Sequence, residues 1–211
     1  MDILAHRGLW HHKDERNTLA SLCNGLDEGF GLETDVRDLN GQLVISHDLP
    51  FTDCSVFLEQ LLRYYSDGRF TSILGLNIKS DGLQEKLCRQ LLDYNIKNYF
   101  VFDMSIPDTL GYLKHDMPIF IRRSDLEHHP ELVSLTQGVW LDELIKPWID
   151  SQVLLQQTLE AKAVCIVSSE LHGWEHEPQW KQIEDAMHLG CPSSKLLLCT
   201  DFPRESERYF K

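Results

Sequence analysis

The chain alternates short apolar runs with stretches of helical spacing, and this rhythm constrains the fold more than any other feature. Eight runs rich in Val, Ile, Leu and Phe are each closed by polar residues: "DILAHRG", "GLETDV", "ILGLNIKS", "NYFVFDMS", "PIFIRRS", "GVWLDEL", "AVCIVSSE" and "KLLLCTD". Alternating strands and helices are typical of an α/β protein with a parallel sheet, and eight such units predict a closed (β/α)8 TIM barrel. An open doubly wound sheet is the competing architecture, but no G-x-G-x-x-G motif follows an early strand.

The length predicts one barrel domain over residues 1–211. Barrels of this type need roughly 200 residues or more, and the chain has 211 without a Pro/Ser-rich linker, a low-complexity tract or an internal repeat. Helix-start signals stand between the apolar runs, with Asn17 expected to begin the first helix and Asp81 a later one.

Charge excludes one class of partner. The chain carries 33 acidic and 20 basic residues, a formal net charge of -13, whereas nucleic acid is held by neutralising its phosphates with Lys and Arg. A small phosphorylated substrate remains compatible if a bound cation reverses the local field. The first strand is expected to begin at Ile3, which leaves no room for a signal peptide, and no apolar run approaches the roughly 20 residues of a membrane span. The six cysteines are scattered without a paired motif and are expected to be reduced thiols. We therefore expect a cytoplasmic protein without membrane partners.

Several chemically active side chains end the early apolar runs. Side chains two apart on a strand share a face, so Glu33 points with Asp35 and Asn77 points with Lys79. His6 ends the first run and His47 closes a short extended segment. Active sites of this fold lie at the C-terminal mouth of the barrel, where these residues are expected to converge. The like charges of Glu33 and Asp35 would repel unless a cation lies between them.

The motifs "AHRG", "NTLAS", "GLETDV" and "GQLVISHD", extended more weakly by "LNIKS", resemble the glycerophosphodiester phosphodiesterase family. The resemblance implies a barrel of the phospholipase C type. It also implies that His6 and His47 are paired acid/base residues, that Glu33 and Asp35 bind metal, and that Arg7 and Lys79 contact phosphate. Asn77 stands at the place of the family's third metal carboxylate, two residues before Lys79, and is expected to be the third metal ligand. The cation is expected to be Mg²⁺, with Mn²⁺ and Ca²⁺ open because all three favour oxygen ligands.

Three departures from the family pattern are visible. The family usually has Glu directly before the Asn-Thr pair, where this chain has Arg16. Asn77 is a neutral oxygen ligand where the family offers a carboxylate. Only the short segment "LPFTDCS" separates His47 and Asp48 from the next helix-like stretch, where the family commonly inserts a subdomain, so we expect an uncapped mouth.

These observations predict a metal-dependent hydrolase that converts a soluble glycerophosphodiester-type substrate to a phosphomonoester and an alcohol. Arg122 and Glu170 end later runs and are expected to contact the substrate, and Trp10 lies on a loop that could close over it. Two alternatives stay open: a lyase-type barrel that releases a cyclic phosphate, and a non-catalytic barrel that binds a phosphorylated ligand.

Overall fold

The computed structural model describes residues 1–50 and 56–211. These residues form two compact units. The first unit comprises Ala5–Ile119, and the second comprises Met1–Leu4 with Phe120–Lys211.

The first unit has a parallel sheet with an antiparallel extension. Its elements are the end of β1 (Asp2–His6), α1 (Leu19–Asp27), β2 (Gly31–Leu39), β3 (Gln42–Ile45), β4 (Val56–Phe57), α2 (Leu58–Asp67), β5 (Leu74–Ile78), α3 (Gln84–Asp93), β6 (Tyr99–Phe102) and α4 (Ile106–Lys114). Strand β5 pairs parallel with β2 on one side and with β6 on the other. Strand β3 runs antiparallel to both β2 and β4. Such parallel pairing follows from strands joined by a crossover helix.

The second unit repeats the strand–helix order with parallel strands. Its elements are β7 (Ile119–Arg123), α5 (Pro130–Val133), β8 (Gly138–Leu141), α6 (Ser151–Glu160), β9 (Val164–Val167), α7 (Glu177–His188), β10 (Leu196–Thr200) and α8 (Pro203–Phe210). Strand β8 pairs parallel with β7 and with β9, and β9 pairs parallel with β10. Its core is built from strand residues such as Val139, Val164 and Leu198 together with Trp180 and Ile183 of α7.

Helix α1 shows how local sequence determines an element boundary. Thr18 is the N-cap, and its side chain accepts a hydrogen bond from the Ser21 backbone N–H, which satisfies one of the free donors of the first turn. Leu22 and Leu26 lie four residues apart on one face of the helix and are buried. The prediction that Asn17 begins this helix is wrong by one residue, because the Asn17 side chain bonds to strand β2 instead.

The eight apolar runs all form strands, as predicted. Strand β2 extends beyond the "GLETDV" run because its last residues pair with β3, in a register that places Val36 opposite Ile45. Phe51–Ser55 of the "LPFTDCS" segment lie outside the described residues. None of the helices within the described residues combines the length and apolarity needed to cross a lipid bilayer. That the whole chain forms a single domain stays a prediction.

Candidate active site

Strand pairing brings the predicted acidic residues of the first unit together. In the parallel register of β2 and β5, Asp35 lies opposite Asn77 and Glu33 lies opposite Gly75. Glu33 and Asp35 are almost completely buried, and Asn77 is buried as well. Burying two carboxylates two residues apart is costly unless they are paired or coordinate a cation.

Glu33 has few partners inside the protein. Its Oε1 accepts a hydrogen bond of 3.2 Å from Asn77 Nδ2. Its Oε2 lies 3.8 Å from His6 Nε2 and accepts no hydrogen bond from any described residue. Burial, together with the neighbouring negative charge of Asp35, raises the pKa of Glu33. Burial and the charge of Asp35 therefore outweigh the stabilisation that His6, Arg7 and Asn77 give to the ionised carboxylate.

Asp35 is the charge centre of the site. Its Oδ2 lies 2.9 Å from Arg7 Nε and accepts a hydrogen bond of 2.8 Å from Asn17 Nδ2. Its Oδ1 lies 3.7 Å from Lys79 Nζ, and Lys79 Nζ in turn donates to Asp103 Oδ2 at 2.8 Å. Arg7 and Lys79, the two basic side chains that are predicted to contact phosphate, therefore both lie beside the buried Asp35 carboxylate.

Three buried oxygens in this cluster have no hydrogen-bond donor among the described residues: Glu33 Oε2, Asp35 Oδ1 and Asn77 Oδ1. Buried polar atoms are nearly always satisfied, so three such atoms at adjacent strand positions call for a missing partner. Two carboxylates and one amide oxygen are the ligand types that hard divalent cations prefer. Within the described residues no group of three or more His, Cys, Asp and Glu side chains has the geometry of a metal site.

An unusual backbone turn holds Arg7 against Asp35. Arg7 and Asn17 both have positive φ angles, 58° and 59°, and the Arg7 N–H donates to the Glu33 carbonyl oxygen at 2.9 Å. The Asn17 N–H donates to the Arg7 carbonyl oxygen at 3.0 Å. Gly8 follows with φ 91°, and a Cβ there would lie 2.6 Å from the backbone of Ser21. A non-glycine residue in this region costs roughly 1–2 kcal/mol, and such strain concentrates at functional sites.

The two predicted acid/base histidines lie in different environments. His6 has a side chain that is 12% exposed and lies beside Glu33. His47 has a side chain that is 48% exposed, and its Nδ1 lies 2.9 Å from Asp48 Oδ1. The backbone before His47 is tied to the carboxylate strand, because the Ser46 N–H donates to the Asp35 carbonyl oxygen at 3.1 Å.

Arg122 and Glu170, the two predicted substrate contacts from later strands, belong to the second unit. Arg122 Nη1 lies 3.6 Å from Glu127 Oε2. The Glu170 carboxylate accepts hydrogen bonds from the hydroxyls of Ser168 and Thr200 and from the Asp201 N–H. Glu170 thus has a full set of partners within its own unit, and its role as a substrate contact stays a prediction.

Sequence reasoning missed one member of the site, Asn17. The sequence predicts a helix start at this residue, whereas its side-chain amide donates to Asp35 and accepts a hydrogen bond of 2.8 Å from the Thr34 hydroxyl. The signal that could have identified it is the pairing of Asn17 with Thr18, since Thr18 is itself a good N-cap and leaves the asparagine for another role.

No protein-family model matches the chain, and no curated protein matches it in sequence. Solved structures do match it. A structure described as a glycerophosphodiester phosphodiesterase from Galdieria sulphuraria aligns with a TM-score of 0.78 at 16% identity, over 99% of this chain and 96% of that one. One from Parabacteroides distasonis aligns with a TM-score of 0.69 at 16% identity, over 99% and 95%.

A third similar structure is a phosphodiesterase from Oleispira antarctica in complex with the product sn-glycerol-3-phosphate. It has a TM-score of 0.68 and 15% identity, over 100% of this chain and 96% of that one. These likenesses show the fold: the chain has the (β/α)8 barrel that its eight strand–helix units predict.

Proposed function

We propose that the protein is a phosphodiesterase that uses a divalent cation, Mg²⁺ in our assignment, to hydrolyse a soluble glycerophosphodiester. The observation that carries the proposal is a set of three buried oxygens, from Glu33, Asp35 and Asn77, that have no hydrogen-bond donor within residues 1–50 and 56–211. The basic side chains of Arg7 and Lys79 lie beside Asp35, and His6 lies beside Glu33. The similarity in fold to structures described as glycerophosphodiester phosphodiesterases supports it, as do the "AHRG" and "GLETDV" motifs.

The residues present fit a divalent cation. Glu33, Asp35 and Asn77 would hold it through their carboxylate and amide oxygens. When bound, such an ion polarises a phosphoryl oxygen and stabilises the negative charge that develops there. Asn77 contributes no charge, so we expect weaker cation binding than a third carboxylate would give.

The basic residues supply the phosphate contacts. Arg7 and Lys79 both lie beside Asp35, so the two basic side chains are placed close to the oxygens that would hold the cation. Arginine binds phosphate oxygens through a planar pair of donors, and lysine acts as a compact point charge.

The two histidines supply the proton transfers. One would remove a proton from the attacking water through a ring nitrogen, and the other would protonate the leaving alkoxide oxygen. Imidazole titrates near neutrality and suits both tasks. The products are a phosphomonoester and an alcohol.

Arg122 and Glu170 complete our assignment as contacts to the substrate's alcohol. A formal charge of -13 disfavours docking on anionic lipid, so we assign a small polar diester as the substrate instead of a phospholipid in a bilayer. We also assign a cytoplasmic location.

The test is product analysis by ³¹P NMR with a panel of glycerophosphodiesters, with and without Mg²⁺. Appearance of a phosphomonoester that depends on Mg²⁺ supports the proposal. A cyclic phosphate product would support the lyase-type alternative instead. Faster cleavage of lysophospholipids in mixed micelles, together with vesicle binding, would contradict the soluble substrate.

One observation favours a second candidate, a barrel that binds a phosphorylated ligand without turnover. Arg7 and Lys79 already neutralise Asp35, and Asn77 donates to Glu33, so the charges are partly balanced without a cation. Saturable binding of glycerol 3-phosphate with no turnover of any diester would establish this candidate.

A further inference from the structure

The two buried carboxylates of the candidate active site are each bound by an asparagine through one of their two oxygens. Asp35 Oδ2 accepts a hydrogen bond of 2.8 Å from Asn17 Nδ2, and Glu33 Oε1 accepts one of 3.2 Å from Asn77 Nδ2. The other two oxygens, Asp35 Oδ1 and Glu33 Oε2, have no hydrogen-bond donor within residues 1–50 and 56–211. Each carboxylate therefore keeps a single oxygen that no hydrogen bond occupies.

The orientation of the Asn17 amide is fixed by its partners. The buried Thr34 hydroxyl donates to Asn17 Oδ1 at 2.8 Å, and an ionised carboxylate can only accept, so the amide nitrogen must face Asp35. The Asn17 backbone is held as well, because its N–H donates to the Arg7 carbonyl oxygen at 3.0 Å. Asn17 therefore presents a fixed donor to one chosen oxygen of Asp35.

Asn17 orients the Asp35 carboxylate, whereas the neighbouring basic residues supply charge. Arg7 Nε lies 2.9 Å from Asp35 Oδ2 as an ion pair, but its N–H does not point at the oxygen closely enough to form a hydrogen bond. Lys79 Nζ lies 3.7 Å from Asp35 Oδ1, beyond hydrogen-bond distance. Among the described residues, Asn17 is thus the one hydrogen-bond donor to this carboxylate.

Asn77 acts on Glu33 in the same way and adds an oxygen of its own. Its amide nitrogen faces Glu33, because an amide oxygen in that position would be repelled by the carboxylate. This orientation leaves Asn77 Oδ1 without a hydrogen-bond donor among the described residues. Glu33, Asp35 and Asn77 therefore present one oxygen each, and two of these three oxygens belong to carboxylates.

The number of oxygens that each residue offers distinguishes cations that the ligand types alone leave open. Ca²⁺ takes about six to eight oxygen ligands and often binds both oxygens of a carboxylate. Mg²⁺ is smaller, binds through one or two carboxylates and keeps several water molecules. Three single oxygens therefore leave Ca²⁺ short of protein ligands, whereas Mg²⁺ completes its coordination with water.

We propose that Asn17 and Asn77 determine the cation preference of the candidate active site. Each asparagine occupies one oxygen of a buried carboxylate, and the resulting set of single oxygens selects Mg²⁺ over Ca²⁺. This inference rests on the cation site of the proposed function and names the metal together with the residues that select it. Asn17 is a positioning residue that acts through Asp35, whereas Asn77 positions Glu33 and also binds the cation.

The test is calorimetric titration of the full chain with Mg²⁺ and, separately, with Ca²⁺. It gives a Kd for each ion without any substrate and therefore without turnover. We expect the wild-type protein to bind Mg²⁺ at least about tenfold more tightly than Ca²⁺. Equal affinity for the two ions, or tighter binding of Ca²⁺, would overturn the inference.

Asn17→Gly removes the amide but tolerates the positive φ of 59° at this position. We expect Mg²⁺ to bind about tenfold more weakly, the usual scale for losing a hydrogen bond to a ligating group. Ca²⁺ should weaken by less than about threefold, because the released Asp35 carboxylate can offer both oxygens. Thr34→Val should act in the same direction but less strongly, because the amide stays in place without its fixed orientation.

Asn95→Gly is the matched control for this variant. It makes the same substitution at an exposed asparagine that follows α3 and also has a positive φ, 54°. The ratio of the two Kd values should not change in this control.

Asn77→Glu tests the second asparagine from the opposite direction. It removes the amide donor to Glu33 and supplies a carboxylate with two oxygens, so we expect Ca²⁺ affinity to rise more than Mg²⁺ affinity. This variant and the wild-type ratio test the inference even if Asn17→Gly does not fold.

The outcomes separate this inference from the proposed function. If the wild-type protein selects Mg²⁺ but hydrolyses no diester in the ³¹P NMR assay, the proposed function fails and the inference stands. If diesters are hydrolysed but Asn17→Gly weakens both ions by the same factor, or neither, the inference is overturned and the proposed function stands. A wild-type protein that binds neither ion would overturn both.

Discussion

Two clusters of buried carboxylates, one in each unit, differ in how completely the protein satisfies them. Glu33 in the first unit accepts one side-chain hydrogen bond and leaves Oε2 without a donor among the described residues. Glu143 in the second unit is equally buried, but its carboxylate accepts four hydrogen bonds. The donors are the Trp148 and Ile149 N–H groups, the Ser169 hydroxyl and the Gln179 amide. Burial of charge therefore does not mark a functional site by itself, and the two clusters differ in how many donors their carboxylates meet.

The largest expected effect concerns the candidate active site of the first unit, with its two histidines. His6→Ala and His47→Ala should each lower turnover by about a hundredfold or more, because a positioned general acid or base contributes roughly 10²–10⁴. Steady-state kinetics on a glycerophosphodiester measures this, with melting temperature as the check on folding. His128→Ala, which removes an exposed histidine of the second unit, is the control. Near-normal turnover in both variants would remove the acid/base assignment.

The second test concerns Glu143 of the second unit, whose carboxylate accepts four hydrogen bonds. Glu143→Ala removes the acceptor of four hydrogen bonds, three of them buried, and an unsatisfied buried donor costs roughly 1–3 kcal/mol, so we expect a loss of about 3 kcal/mol in the free energy of unfolding. Urea denaturation measures it, and Glu131→Ala, at an exposed position on α5, should change stability by less than about 0.5 kcal/mol. A loss of turnover in fully folded Glu143→Ala would contradict the structural role.

The third test concerns Glu33 of the first unit, where loss of the charge is not expected to lower the free energy of unfolding. Glu33→Gln removes a buried charge that is repelled by Asp35, so in EDTA its stability should equal or exceed that of the wild type. In Mg²⁺ titrations followed by thermal shift, the variant should need about tenfold more metal, since a charged ligand is lost. Asn77→Glu should need less metal than the wild type. Overlapping titrations for the three proteins would show that no cation binds here.

The smallest expected effect is a pH dependence in the second unit, at the His172–Asp142 pair. The hydrogen bond to Asp142, at 2.7 Å from His172 Nε2, raises the pKa of His172. A raised folded-state pKa means that the protonated pair stabilises the fold fully below the unfolded value of about 6.5 and loses that contribution as pH rises through the folded value. Unfolding free energies across this range should fall with pH in the wild type and change less in Asp142→Asn. Equal slopes would show that the pair contributes nothing.

The sequence predicted the fold well because its signals are local. Each of the eight apolar runs forms a strand, since a continuous apolar run buries both faces of a parallel strand without help from distant residues. Likewise, the period of two along a strand was enough to place Glu33 and Asp35 on one face. Boundaries were less accurate: β2 runs on to Leu39 because of its pairing with β3, which depends on a second segment.

The partners of the site residues were not predictable in the same way. Arg7 and Lys79 were expected to contact phosphate, and the structure adds that both lie beside Asp35. Asn17, expected at the start of a helix, bonds to β2 instead. These contacts depend on the positive φ angles of Arg7 and Asn17 and on the β2–β5 register.

The sequence by itself determined which residue types are available and that they recur at strand positions, because periodicity and motif spacing are properties of neighbouring residues. Only the tertiary structure decided which buried carboxylates are satisfied. Glu33 lies within β2, and Glu143 lies two residues beyond the end of β8. Among the described residues Glu33 accepts a hydrogen bond from a single amide, whereas Glu143 accepts four from residues 5–36 positions away along the chain. The number of donors around a buried charge is set by chain segments that come together only on folding, and it is this number that separates a candidate reaction site from a structural hydrogen-bond network.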